Sequence, residues 1–173
     1  MNLIIAGTNR EQSNSLKVAQ YYQKHLAKKG ESWQLLSLTD LPADISISNL
    51  YGKKSPAFAG IQDIVSASTK LVFIIPEYNG SFPGILKTFI DACAYPMSFH
   101  HKKVALVGIS TGRHGNIRGL DHFTGVCNYL RMHVLPLKVY LPQIQHSIDL
   151  QGDFHEPGSI RCIQEQIEEI NLF

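Results

Sequence analysis

The sequence predicts an α/β fold in which a parallel β-sheet lies between two layers of helices. Two observations support this fold class. Short segments that are apolar throughout, as in strands buried on both faces, recur along the chain. Between them lie segments in which apolar residues follow helical spacing, the alternation typical of parallel sheets. Five such units favour a three-layer, flavodoxin-like, doubly wound sheet with strand order 2-1-3-4-5.

The first half of the chain supplies three of the predicted strands and two of the helices. The strands are NLIIA (2–6), WQLLSL (33–38) and KLVFII (70–75). The helices are NSLKVAQYYQKHLAKKG (14–30), which collects lysines at its end and closes on a glycine, and FAGIQDIVSAST (58–69). Residues 39–56 are rich in Ser, Asp, Gly and Pro, and we expect an irregular excursion there rather than a linker.

The second half supplies the remaining strands and helices. GILKTFIDACAY (84–95) and GLDHFTGVCNYLRM (119–132) are predicted helices, and SIRCIQEQIEEINLF (159–173) is a closing amphipathic helix. The strands are KVALVGIS (103–110) and VLPLKVYL (134–141), the latter placed at a sheet edge by Pro136. We therefore expect residues 1–173 to form a single flavodoxin-like domain.

Composition and charge exclude several classes of function for this protein. A formal net charge of +2 is too small to favour nucleic acid or an anionic membrane as partner, and it argues against a small acidic electron carrier. Three cysteines without a C-x-x-C pair suit a reducing compartment, and the start MNLIIAG lacks the basic residues and apolar length of a signal peptide. No apolar run reaches membrane-spanning length. A cytoplasmic protein is expected, with no metal site because the histidines lack ligand spacing.

The loop after the first strand, GTNREQSNS (7–15), has the features of a phosphate site. In a doubly wound sheet, ligands bind where the strand order reverses, here between strands one and three. The loop offers the hydroxyls of Thr8, Ser13 and Ser15, the amide of Asn14 and the guanidinium of Arg10, next to a helix N-terminus that favours anions. The alternative is that Ser13 or Asn14 merely caps the helix. The loop lacks the G-x-G-x-x-G and G-x-x-x-x-G-K-[ST] patterns, which argues against a dinucleotide Rossmann site and a nucleoside triphosphatase.

The loop after the third strand, PEYNGS (76–81), lies beside the first loop in this topology. Tyr78 offers a flat apolar face, and Gly80 permits backbone conformations that other residues avoid. Exposed backbone groups there would suit the polar edge of a planar ring. The alternative is a simple turn built around the proline and the asparagine.

Together, GTNREQSNS and PEYNGSFPGILKTFID resemble the NADPH-dependent FMN reductase family, which includes bacterial quinone, chromate and azo-dye reductases. The resemblance rests on a G-[ST]-x-R-x-x-S loop and on P-E-Y-N-x-S-x-P-G-x-L-K. It implies that Thr8, Arg10, Ser13 and Ser15 hold the FMN phosphate, with Asn14 one place before a family asparagine. It also implies that the isoalloxazine ring is lined by Pro76, Glu77, Tyr78, Asn79 and Gly80.

The third loop, STGRHGN (110–116), fits the family's S-x-G-G-R-x-G-G pattern in part. Ser110, Gly112 and Arg113 are its candidate cofactor-binding residues. The resemblance implies hydride transfer from NADPH or NADH to FMN and then to a small-molecule acceptor such as a quinone, in a homodimer or homotetramer. Catalysis is expected on the flavin rather than on a side chain. The sequence leaves the choice between NADH and NADPH open, and Arg113 and Arg118, near the third loop, are the candidates for contacting a 2′-phosphate.

Two other functions remain open from the sequence. A flavin-binding redox sensor or electron shuttle would use the same fold and the same loops. GISTG (108–112) also fits the G-x-S-x-G nucleophile elbow, with Asp149 and His155 following in the order of a hydrolase triad. A serine hydrolase using Ser110 would require a helix to begin directly after that serine.

Overall fold

The structure is a computed structural model that describes residues 1–173. Its strands form one parallel sheet and are β1 (Asn2–Ala6), β2 (Trp33–Ser37), β3 (Lys70–Pro76), β4 (Lys103–Ile109), β5 (His133–Val134) and β6 (Val139–Leu141). The strand order is β2-β1-β3-β4-β5, and β6 also pairs with β4. This order confirms the doubly wound, flavodoxin-like arrangement predicted from the sequence. The chain reverses direction across the sheet between β1 and β3.

One continuous fifth strand was predicted over residues 134–141, and this prediction was wrong because the strand is interrupted. β5 pairs with the start of β4, and β6 pairs with the end of β4, where Val107 lies opposite Val139. Pro136 lies in the interruption and has no N–H to donate to a ladder. The edge of the sheet is therefore made of two short segments instead of one strand.

Six helices cover the sheet, and they are α1 (Asn14–Ala27), α2 (Ile45–Ser48), α3 (Pro56–Ala67), α4 (Gly84–Ala92), α5 (Ile117–Tyr129) and α6 (Pro157–Leu172). The five longer helices confirm those predicted, with shifted ends. α3 and α6 begin earlier than predicted because a proline occupies the first helical position, where its missing N–H has no cost. α2 lies in the segment that was predicted to be irregular.

Each face of the sheet carries its own apolar core. Leu3 and Ile5 of β1 belong to the core shared with α3, α4 and α5, whereas Ile4 and Ala6 belong to the core shared with α1 and α6. All of β1 is buried, which explains its uniformly apolar sequence. Because both faces are covered, a ligand can reach the sheet only at the ends of its strands.

Candidate functional site

A cavity of about 440 Å³ opens at the carboxyl ends of β1, β3 and β4. This volume lies within the range of small-molecule and cofactor sites. The lining comes from the last residues of β3 and β4, the loops after β1, β3 and β4, the start of α1 and one residue after β6. Its residues are Thr8, Arg10, Glu11, Gln12, Ser13, Asn14, Ser15, Pro76, Glu77, Tyr78, Ile109, Ser110, Thr111 and Ile144. The cavity therefore lies at the point where the strand order reverses.

The start of α1 lies at this cavity, where Asn14 and Ser15 belong to the lining. Ser13 is the N-cap, and its hydroxyl oxygen accepts a hydrogen bond from the N–H of Leu16 at 3.2 Å. The capping alternative for Ser13 is thus realised in the structure. An accepting hydroxyl still keeps its hydrogen for donation. The N–H groups of Asn14 and Ser15, the first two residues of the helix, have no acceptor within the helix. Capping and anion binding are therefore compatible at this residue.

Two polar groups of the first loop have no protein partner. Ser15, one of the lining residues, is buried, and its hydroxyl oxygen has no hydrogen-bond partner. The guanidinium of Arg10 takes part in none of the ion pairs of the protein. A buried hydroxyl without a partner costs free energy unless a ligand or water satisfies it. These groups match what the phosphate of a mononucleotide requires.

Contacts between side chains join the first and second loops. The hydroxyl of Tyr78 lies 2.8 Å from Oγ1 of Thr8. Oγ1 of Thr8 also accepts a hydrogen bond from the N–H of Arg10 at 3.3 Å. Gly7 allows β1 to approach β3 closely here, since a Cβ on it would lie 2.9 Å from the carbonyl oxygen of Ile74. The two walls of the cavity are consequently held together without a ligand.

The second loop contains a tight hairpin turn. Tyr78 and Ser81 exchange backbone hydrogen bonds of 2.8 and 3.1 Å. The residues between them, Asn79 and Gly80, both have positive φ, 51° and 74°, as a type I′ turn requires. The turn alternative is therefore also realised, and the turn places the Tyr78 side chain against the first loop.

The third loop is closed by Ser110. Its hydroxyl accepts a hydrogen bond from the N–H of Gly115 at 2.9 Å and donates one to the carbonyl oxygen of Gly112 at 3.0 Å. The next helix begins only at Ile117, so the strand–turn–helix geometry of a nucleophile elbow is absent. Nε2 of His155 lies 3.1 Å from the carbonyl oxygen of His146. The structure thus gives no support to a serine hydrolase.

Most of the residues predicted for the site are brought together by the fold. Those that line the cavity are Thr8, Arg10, Ser13, Asn14, Ser15, Pro76, Glu77, Tyr78 and Ser110. Four others lie outside its lining, namely Asn79, Gly80, Gly112 and Arg113. Asn79 and Gly80 shape the turn beside the cavity, while Gly112 and Arg113 are exposed in the third loop.

Sequence reasoning missed five lining residues, which are Glu11, Gln12, Ile109, Thr111 and Ile144. Glu11 and Gln12 lie within the first loop beside Arg10 and Ser13, and Ile109 and Thr111 flank Ser110, so including the neighbours of the predicted residues would have found all four. Ile144 had no such signal. It reaches the cavity because its N–H donates to the carbonyl oxygen of Ser110 at 3.0 Å, beside a similar bond from Gln143 to Gly112 at 2.9 Å.

The remaining reactive groups lie elsewhere. Cys93 and Cys127 are buried in the core, and burial raises the pKa of both thiols, that of Cys127 to about 12. No group of three or more His, Cys, Asp or Glu side chains is placed to hold a metal ion. None of the helices has the length and apolar character needed to cross a bilayer.

Comparison with known proteins identifies relatives of this chain. The family model of the NADPH-dependent FMN reductases matches residues 2–146. An NAD(P)H-dependent FMN reductase of Pseudomonas aeruginosa is 31% identical over 140 residues, which cover 76% of each chain. A 2-hydroxy-1,4-benzoquinone reductase of Burkholderia sp. is 26% identical over 166 residues, covering 93% of this chain and 88% of its own.

Solved structures show the same fold. FerB, a flavoenzyme NAD(P)H:(acceptor) oxidoreductase from Paracoccus denitrificans, superposes with a TM-score of 0.79 at 21% identity, over 98% of this chain and 93% of its own. An NADH:FMN oxidoreductase in its apo form gives a TM-score of 0.77 at 19% identity, over 98% and 87%. An archaeal flavodoxin also matches, with a TM-score of 0.59 at 11% identity over 99% of this chain and 94% of its own.

Proposed function

The chain belongs to the NADPH-dependent FMN reductase family, and we propose from this premise that it is an FMN-dependent NAD(P)H oxidoreductase that reduces soluble quinone-like acceptors. The single observation that carries the proposal is the cavity at the reversal point of the sheet. Its lining contains residues of both motifs of the family resemblance, among them Arg10, whose guanidinium forms no ion pair, and Ser15, whose buried hydroxyl has no partner. A flavin mononucleotide needs an anion site and space for a planar ring, and these residues would supply both.

The first loop would bind the FMN phosphate. The guanidinium of Arg10 would donate charge-assisted hydrogen bonds to phosphate oxygens. The hydroxyls of Thr8, Ser13 and Ser15 would donate neutral ones, and Asn14 opens the helix whose N–H groups favour an anion. The partnerless Ser15 hydroxyl supports this assignment because phosphate would satisfy it.

The second and third loops would hold the isoalloxazine ring. Pro76, Glu77 and Tyr78 form one wall of the cavity, and the Asn79–Gly80 turn fixes the backbone of that wall. Ser110 would contribute through the loop that it closes, rather than as a nucleophile. Gly112 and Arg113 lie farther along the same loop and would contact only parts of the cofactor outside the cavity.

Bound FMN supplies hydride and electron transfer, which no side chain of the chain can perform. The protein's part is to bind the ring, orient it and leave one face open to substrates. The titratable side chains of the lining are Arg10, Glu11, Glu77 and Tyr78, and no hydrogen bond joins any two of them into an acid–base pair. We therefore expect donor and acceptor to use the cavity in turn, with ping-pong kinetics and broad acceptor tolerance.

We also propose that the protein works as a homodimer or homotetramer in the cytoplasm. Tyr95 and Met97, in the segment after α4, are 69% and 68% exposed. Large apolar side chains exposed side by side are typical of an interaction surface. Light scattering should give at least twice the monomer mass, and a double Tyr95→Ser/Met97→Ser variant should shift it toward the monomer. A monomeric wild type at micromolar concentration would refute the assembly.

Flavin release tests the cofactor assignment. The purified protein should carry FMN, or take it up in stoichiometric amount, and heat or acid should release it for chromatographic identification. If the protein neither retains nor takes up FMN, the assignment is wrong.

A further inference from the structure

A second, smaller pocket of about 170 Å³ adjoins the main cavity. It is lined by Glu77, His114, Ile117 and Arg118, and Glu77 also lines the main cavity. One wall is therefore the loop after β3, and the other is the loop after β4 together with the start of α5. No residue of this second pocket except Glu77 has a role in the function proposed above.

The guanidinium of Arg118 reaches across this pocket. Its Nη1 atom lies 4.0 Å from the position that a Cβ on Gly80 would take, so it lies over the hairpin turn. Arg118 is exposed and takes part in none of the ion pairs, although Glu77 lines the same pocket. A guanidinium is always charged and can bind two oxygens of one anion at once.

The pocket also has an apolar side of suitable size. Ile117 is 44% exposed and lines the pocket, so it offers the pocket an apolar surface. A cavity of about 150 Å³ can hold one benzene ring. The pocket of about 170 Å³ therefore matches a single aromatic ring.

We propose that Arg118, Ile117 and His114 form a subsite for an aromatic electron acceptor that carries an anionic substituent on its ring. This inference rests on the proposed function. Ile117 would contact the face of the ring, and the guanidinium of Arg118 would bind the anionic oxygen. Glu77 would accept a hydrogen bond from a ring hydroxyl, and His114 would offer a further polar contact at the rim.

The 2′-phosphate of NADPH fits this pocket less well. A phosphate monoester carries a charge of about −1.5 to −2 at neutral pH, and the nearby carboxylate of Glu77 would repel it more than a single negative charge. It would also leave the exposed face of Ile117 without a contact. The acceptor subsite uses every residue of the lining.

Binding of benzoate and benzamide tests the inference without any turnover. The two molecules share ring and shape and differ in charge. Titration of the purified protein should show that wild type prefers benzoate by about tenfold or more, since a hydrogen bond to a charged group contributes that much. Arg118→Gln should remove this preference and leave benzamide within about twofold. Arg161→Gln, which removes an exposed guanidinium on α6, is the matched control and should behave as wild type.

Reoxidation of the reduced, FMN-loaded protein by quinones tests the role of Arg118 in the reaction. Arg118→Gln should slow transfer to ionised 2-hydroxy-1,4-benzoquinone by about 10- to 100-fold and leave neutral 1,4-benzoquinone within about twofold. Arg118→Lys should retain part of the preference for the anion. Equal losses with both quinones would overturn the subsite and make Arg118 a support of the hairpin turn.

Kinetics with NADPH and NADH distinguish the acceptor subsite from a site for the 2′-phosphate of NADPH. If Arg118→Gln instead raises KM for NADPH alone, with NADH and both quinones unchanged, Arg118 binds the 2′-phosphate and the acceptor subsite is refuted. A protein that takes up no FMN would refute the proposed function, whereas the benzoate and benzamide titration would still decide the subsite.

Discussion

The hydroxyl of Tyr78 and Oγ1 of Thr8 lie 2.8 Å apart, although 70 positions separate them in the chain. The contact joins the loop after β1 to the loop after β3 at the point where the strand order reverses. Because Thr8 also accepts from the N–H of Arg10, the contact connects the proposed phosphate end of the cavity to its proposed ring wall. The two loops are thus held in place before any ligand binds.

Removing the Tyr78 hydroxyl should weaken the contact between the two loops and leave the aromatic ring of Tyr78 in place. Tyr78→Phe is expected to lower the free energy of unfolding by about 0.5–1.5 kcal/mol, the net contribution of one hydrogen bond. FMN affinity should fall by less than about tenfold because the aromatic face remains. Urea denaturation and fluorescence titration measure the two effects. Tyr129→Phe, at a tyrosine that is 82% exposed, is the control, and an equal effect there would contradict the role of the contact.

Arg10 should matter only when the ligand carries a phosphate. Arg10→Ala is expected to weaken FMN binding by about 1.5–3 kcal/mol, the range for hydrogen bonds to a charged group. Riboflavin has the same ring and no phosphate, so its affinity should barely change. Titration of the apoprotein with each flavin makes the comparison. Equal losses for FMN and riboflavin would place Arg10 outside the phosphate site.

Gly80 should tolerate a side chain poorly. Its φ of 74° lies in the left-handed region, so Gly80→Ala is expected to destabilise the protein by about 1–2 kcal/mol. Gly60→Ala, in the exposed interior of α3, has open space around it and should stabilise by about 0.5–1 kcal/mol. Opposite signs in urea denaturation are the expected result, and a neutral Gly80→Ala would contradict the strained turn.

Lys102 should make stability depend on pH in the alkaline range. It is buried just before β4, its ammonium donates to the carbonyl oxygens of Val65 and Ser66, and burial lowers its pKa to about 8. Below pH 8 both the folded and the unfolded chain hold the proton, and the burial penalty is fully present. Between pH 8 and the ordinary value of 10.5 the unfolded chain binds more protons, so stability rises with pH.

The measurement for Lys102 is the difference in unfolding free energy between wild type and Lys102→Met as a function of pH. This difference should rise in favour of wild type by about 3 kcal/mol across that window. Parallel curves for the two proteins would show that burial does not lower the pKa of this lysine.

The strand order and most of the site could be predicted because their signals are local. The apolar sequence of β1 reflects burial on both faces, and the Asn79–Gly80 pair at the end of the β3 loop is a strong signal for a type I′ turn. The loops that follow β1 and β3 then had to meet, because parallel strands end at one edge of the sheet.

The features that could not be predicted depend on contacts between distant segments. Ile144 enters the cavity only because the chain after β6 returns to hydrogen-bond with Ser110. Pro136 indicated a sheet edge near this position. Which of the residues on either side of it pair with β4 depends on how the chain packs against that strand. Neither the Thr8–Tyr78 contact nor the position of Arg118 over the hairpin has a signature in the sequence.

Anaerobic mixing of the FMN-loaded protein with NADPH, and separately with NADH, tests the central claim most directly. The account predicts that at least one donor abolishes the absorbance of the oxidised flavin, and that a quinone added afterwards restores it within one turnover. Repeated cycles with excess donor and quinone should follow ping-pong kinetics. A flavin that stays oxidised with both donors would contradict the reductase and leave a redox sensor or an electron shuttle on the same fold.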